Sequence, residues 1–184
     1  LWDGGSVMAG VVQSSGTYIN IDVSYPSGSE VEMSGVSGLI SGQSGTGYAD
    51  VNVTTDYDGY ALEIKASTSP AMKCLTDSGC EAGDSFADYT PAGGIGTPDY
   101  DWNILDSSSA FGFTAKGDDI VSRFKYNVGN STCGSGATSF SGDHCWDGLT
   151  TDSGNHIAES DSLNHPEGVI TRVKFKTQVG SNKI

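Results

Sequence analysis

The closing stretch "VITRVKFKTQV" alternates with period two. Val169, Thr171, Val173, Phe175, Thr177 and Val179 fall on one side, and Ile170, Arg172, Lys174, Lys176 and Gln178 on the other. A period of two puts successive side chains on opposite faces of a strand, whereas a helix needs apolar residues every three to four positions. The segment is therefore a strand with one buried face, and the rest of the chain has to supply a sheet around it. Gly180, Ser181 and Asn182 then read as a turn, which ordinarily introduces a partner strand, yet only Lys183 and Ile184 follow. The expectation is a sheet that lacks its last strand.

Other segments carry the same period. In "YADVNVTTDYDGYALEIKAS" Ala49, Val51 and Val53 alternate with polar residues, Asp56 to Gly59 make a turn, and Tyr60, Leu62, Ile64 and Ala66 alternate again. This is a hairpin whose Asp58-Gly59 step supplies the positive φ of the turn. "TYINIDVSY" places Thr17, Ile19, Ile21, Val23 and Tyr25 on one face, and "SAFGFTA" and "DIVSRFKYN" read as further strands, the latter with Ile120, Ser122, Phe124 and Tyr126 together. "SVMAGVVQSS" is a short apolar strand without an obvious hairpin partner, and "EVEMSGVSGLISGQSGTG" holds one or two short strands among glycines. Residues 68–109 read as a long loop, and short helical turns fit only around Ile157 to Leu163. Short strands, glycine-rich turns and no strand-helix rhythm define an all-β chain, read as an immunoglobulin-like β-sandwich, with a barrel or jelly roll as the other architecture. Residues 1–15 form an extended N-terminal segment and residues 16–184 one sandwich domain.

A net charge of −14 excludes nucleic acid as a partner, because phosphate binding needs a basic face. Four of the nine Lys and Arg (Arg172, Lys174, Lys176 and Lys183) nevertheless lie in the closing segment, a basic end against an acidic remainder. No apolar run approaches the ~20 residues that a membrane-spanning helix needs, so no membrane insertion is expected. The start at Leu1 reads as a processed one, with any export signal removed. The cysteines form two local pairs, Cys74 with Cys80 and Cys133 with Cys145. Three connectivities exist, and the short glycine- and serine-rich loops favour the local ones. Disulfides place the chain in an oxidising compartment, extracellular or at a cell surface.

The chain carries no nucleophile elbow and no phosphate-binding glycine loop, and it is read as a non-enzyme. His156, Glu159 and His165 match no zinc spacing, and an even cysteine count removes Cys145 as a nucleophile beside His144. No cofactor is expected beyond a structural calcium, for which Asp56 and Asp58 or Asp99 and Asp101 supply hard oxygen ligands without completing a calcium loop. Trp102, Trp146 and Tyr100 lie in loops where aromatic faces can stack on surface glycans or cap the core. Asn52 and Asn130 head N-x-[ST] sequons.

The stretches "VNVTTDYDGYALEIKAS", "FGFTA", "CWDGL" and "VITRVKFKTQVGSNK" together resemble secreted prokaryotic cell-surface β-sandwich proteins, some of which build pilus-like fibres. In proteins of this kind a further strand commonly follows the last turn. The resemblance implies a sandwich completed by a strand from a neighbouring subunit and copies joined head to tail in a homopolymer. Val7, Met8, Val11 and Val12 are then the donated apolar groups, and Arg172, Lys174 and Lys176 face acidic residues across the junction. The alternative is a self-contained cell-surface carbohydrate-binding or adhesion domain.

Overall fold

The computed structural model describes residues 2–4, 7–12, 18–35, 40–74, 84–152, 154–161 and 165–181, with backbone alone for residues 2–12 and Cys74. The chain is all-β. Its strands are β1 (Trp2–Gly4), β2 (Val7–Val12), β3 (Ile19–Ser24), β4 (Ser44–Thr55), β5 (Tyr60–Ala66), β6 (Met72–Cys74), β7 (Ala87–Asp88), β8 (Ala110–Lys116), β9 (Tyr126–Asn127), β10 (Thr132–Cys133), β11 (Asn155–Ser160) and β12 (His165–Gln178). A five-stranded sheet runs β3-β4-β12-β8-β7, antiparallel except for β7 against β8, and a three-stranded sheet runs β11-β5-β2.

The long alternating strand sits in the middle of the larger sheet. Arg172 to Gln178 are paired on both sides, with Asp50 back to Ser44 on β4 and with Lys116 back to Ala110 on β8. Its even-spaced partner residues Thr171, Val173, Phe175 and Thr177 are buried, while Arg172, Lys174 and Lys176 face outward. The β4–β5 hairpin keeps the same alternation through Val51, Val53, Leu62 and Ile64. At its turn a Cβ on Gly59, whose φ is +151°, would lie 2.5 Å from the carbonyl oxygen of Ser160, so only glycine fits.

One core joins the inner faces of both sheets. Val53, Val173, Phe113 and Phe175 of the larger sheet pack in the same cluster as Leu62, Ile64 and Ala158 of the smaller. This two-layer packing is consistent with a β-sandwich. Burial of each large aliphatic or aromatic side chain contributes about 1.5–3 kcal/mol. Phe111 and Phe175 stack across β8 and β12 with ring centroids 5.8 Å apart.

Residues 7–12, read from the sequence as a candidate donor segment, pair in the single chain with β5, from Val7 opposite Ala66 to Val12 opposite Ala61. The edge of β5 presents N–H and C=O groups that need partners, and a strand of matching length in the same chain supplies them. "DIVSRFKYN" is not one strand: Ser122–Phe124 form a 3₁₀ turn, and only Tyr126–Asn127 extend. Ile120 and Phe124 are buried all the same, because the turn brings both onto the core. Residues 155–160 are a strand and not helical turns, with Ile157 bulged out of the ladder to β5 and its carbonyl accepting the N–H of Val121.

Candidate functional site

The outward face of β12 carries three cations, and each finds a partner within the chain. Arg172 makes a bidentate pair with Asp50, its next-strand neighbour, at 2.7 Å on both oxygens, and its guanidinium lies 3.9 Å over the ring of Tyr48. The fork geometry suits a carboxylate and the flat cation suits an aromatic face. Lys174 is hydrogen-bonded to Asp143, and this bond holds the Asp143 carboxyl below the usual carboxylate range. Lys176 sits 5.3 Å from the rings of both Trp102 and Trp146, where burial pulls its pKa down. In the single chain the partners of these cations are Asp50, Asp143 and the two indoles.

The aromatic loop residues cover the β8 half of this outer face. Gly112 of β8 has no side chain because the space is taken; a Cβ there would lie 2.7 Å from both the carbonyl oxygen of Asp147 and Cβ of Tyr89. Tyr89 stacks on Trp102 at 4.4 Å, Trp102 meets Trp146 edge-on at 5.5 Å, and the Trp102 indole N–H donates to Gln178 at 3.1 Å. Trp146 is buried and donates to the carbonyl of Asp143. Tyr100 is covered on one face by His144, 4.1 Å away. Tyr89, Trp102 and Trp146 pack in a second small core, which engages the two indoles within the chain; Tyr100 lies outside that cluster, stacked on His144.

Beneath them lies the carboxylate of Asp147, which accepts backbone N–H groups of Gly96 and Gly148 and stands 3.9 Å from Arg123. Burial raises its pKa against those donors. Cys133 and Cys145 are bonded to each other, closing a loop with a sequence separation of 12. In the chain-entropy picture such a loop stabilises by about 3 kcal/mol. The expected Cys74–Cys80 pair lies outside the described residues.

The calcium candidates do other work. Asp56 accepts the N–H of Tyr18 and Asp99 accepts the Tyr89 hydroxyl and the Ala92 N–H, while Asp101 lies 3.5 Å from His144. Among the described residues no group of three or more His, Cys, Asp or Glu is placed to hold a metal ion. The histidines separate: His156 pairs with Glu159 at 3.5 Å, and His165 lies 2.9 Å from Asp119, which also accepts the Tyr60 hydroxyl. Of the two sequons, Asn130 lies exposed in the turn between β9 and β10, and Asn52 lies within β4 opposite Ile170.

What remains open is a groove of about 420 Å³ beside the Arg172–Asp50 pair, lined among others by Tyr48, Glu32, Lys116, Ser141, Arg172 and Lys174. The sequence singled out Arg172 and Lys174 here but missed Tyr48 and Lys116. Their signal is the outward register of β4 and β8, which appears only once the strands are paired. No helix among the described residues is long and apolar enough to cross a membrane. No protein-family model, curated protein or solved structure matches this chain.

Proposed function

We propose that the chain is a non-enzymatic structural subunit of an extracellular surface filament, an immunoglobulin-like sandwich whose copies join head to tail by exchanging their N-terminal strand. One observation carries this reading. β2 lies at the edge of its sheet and its ladder is with β5, so the β2 of a neighbour can occupy the same register. Each backbone pair lost within the chain is regained between chains, which makes strand exchange a low-cost route to assembly. An exchange that passes from one copy to the next without closing generates a fibre. The Cys133–Cys145 bond supports an oxidising, extracellular setting.

The second reading is a self-contained cell-surface domain with an adhesive or carbohydrate-binding role. It is favoured by the seating of β2 on its own β5. Sedimentation and negative-stain microscopy of the full chain and of residues 16–184 separate the two. Strand exchange predicts fibres from the full chain alone; a monodisperse full-length monomer contradicts it and leaves the self-contained domain.

A further inference from the structure

β3 is the outer strand of the five-stranded sheet, and among the described residues no strand pairs with its free side. Every second residue of such an edge points its N–H and C=O away from the sheet, where another strand can bond to them. The β11 margin of the smaller sheet is covered within the chain: Ile120 bridges Ala158, and the Glu159 N–H donates to the carbonyl of Asp119. β3 lacks the usual protections of an edge, since Ile19–Ser24 holds no Lys and no Pro and runs against β4 without a register shift. Its only charge is Asp22, which accepts the Asn20 amide at 2.8 Å.

The two faces of β3 differ. Ile19, Ile21 and Val23 stand opposite the buried Thr55, Val53 and Val51 of β4; the two isoleucines pack on the core, while Val23 is 43% exposed. Asn20, Asp22 and Ser24 are exposed on the outer face. A two-fold axis at Ile21 lays the β3 of a second copy alongside, with Ile21 opposite Ile21, Ile19 opposite Val23 and Asn20 opposite Asp22. Each pair is then complementary, apolar against apolar on the inner face and amide against carboxylate on the outer. An axis at Asp22 instead sets the two carboxylates face to face. We propose that β3 is a self-association edge, at which two copies of this chain join antiparallel about Ile21 and continue the five-stranded sheet from one copy into the other. The contact is isologous and closes on itself, so it joins copies in pairs and is independent of the exchange of β2. Six residues of ladder make a small contact, of the weak and reversible class. The net charge of −14 opposes the approach of two copies and is screened by salt, so pairing tightens as ionic strength rises.

Covalent capture in the full chain reads the register. Ile21→Cys meets its own counterpart across the axis and is expected to give a dimer band on a non-reducing gel that reduction removes, whereas Val23→Cys, opposite Ile19, gives none. One cysteine links two copies at most, so the dimer band reports β3 whether or not the chain forms fibres. Sedimentation reads the outer face: Asn20→Asp sets carboxylate against carboxylate at two places and weakens pairing about tenfold, with the melting temperature unchanged. Adding Asp22→Asn rebuilds the same amide–carboxylate pair in reverse and restores the parent affinity. No dimer band from Ile21→Cys, equal bands from both cysteine variants, or a weakening in Asn20→Asp that the second substitution fails to rescue overturns the proposal.

Discussion

The buried carboxylate of Asp147 accepts the backbone N–H of Gly96, 51 residues away in sequence, at 3.1 Å on both oxygens. The backbone of Asp147 is at the same time bridged to Phe113 of β8. One side chain thus ties the loop that carries the aromatic panel to the central sheet. Asp147→Ala removes these charge-assisted bonds and leaves Arg123 without its carboxylate. We expect a loss of about 3 kcal/mol, read by urea denaturation, with the tryptophan emission shifted toward that of solvated indole. A loss under about 1 kcal/mol contradicts the anchoring role.

The pairing of Lys174 with Asp143 makes a small part of the stability depend on pH. The Asp143 carboxyl is held below its usual range chiefly by the Lys174 hydrogen bond. Between the folded and unfolded pKa values the unfolded chain binds more protons, so this contribution is present above the unfolded value and is lost as pH falls through the folded one. Asp143 is largely exposed, and solvent screening limits the effect to about 0.5 kcal/mol. Lys174→Met is therefore slightly less stable than the parent at pH 7, and the gap closes on acidification. A gap that persists at low pH assigns the effect to packing of the lysine stem.

Gly112 tests whether the loop layer is part of the fold. Its missing side chain admits Tyr89 and the Asp147 carbonyl. Gly112→Val forces that layer outward at a cost of about 1–3 kcal/mol, while the inner core around Phe111 and Phe113 stays in place. Loss of near-ultraviolet aromatic signal with far-ultraviolet signal retained is the expected signature. Unchanged near-ultraviolet signal contradicts the packing described.

The strands whose faces differ most in polarity were legible in the sequence. β12 from Thr171 to Thr177 and the β4–β5 hairpin alternate because one face of each lies on the core, and their buried residues are those read from the sequence; Gln178, on the outward side of β12, is buried as well because loops cover it. β8 was legible as a strand but not in its environment: Ala110 to Ala115 are buried on both faces, since loops cover the outer side. Ile120 and Phe124 mimic a strand period although a 3₁₀ turn presents them, and Asn155–Ser160 hides its period behind the Ile157 bulge. The partner of β2 was illegible, because β5 is reached only across the intervening β3 and β4, and local periodicity says nothing about long-range pairing. Candidate site residues fared the same way. Arg172 and Lys174 were visible as a basic stripe, but Lys116 and Tyr48 join them only through strand register.

Strand exchange is tested most directly by covalent capture. Met8 and Lys65 are opposite each other in the β2–β5 register, at a separation that a disulfide bridges when both are cysteine. In the Met8→Cys, Lys65→Cys double variant, exchange predicts a ladder of covalent multimers on a non-reducing gel that collapses to one band on reduction. A protein that oxidises completely yet runs only as the monomer places both cysteines in one chain and contradicts it.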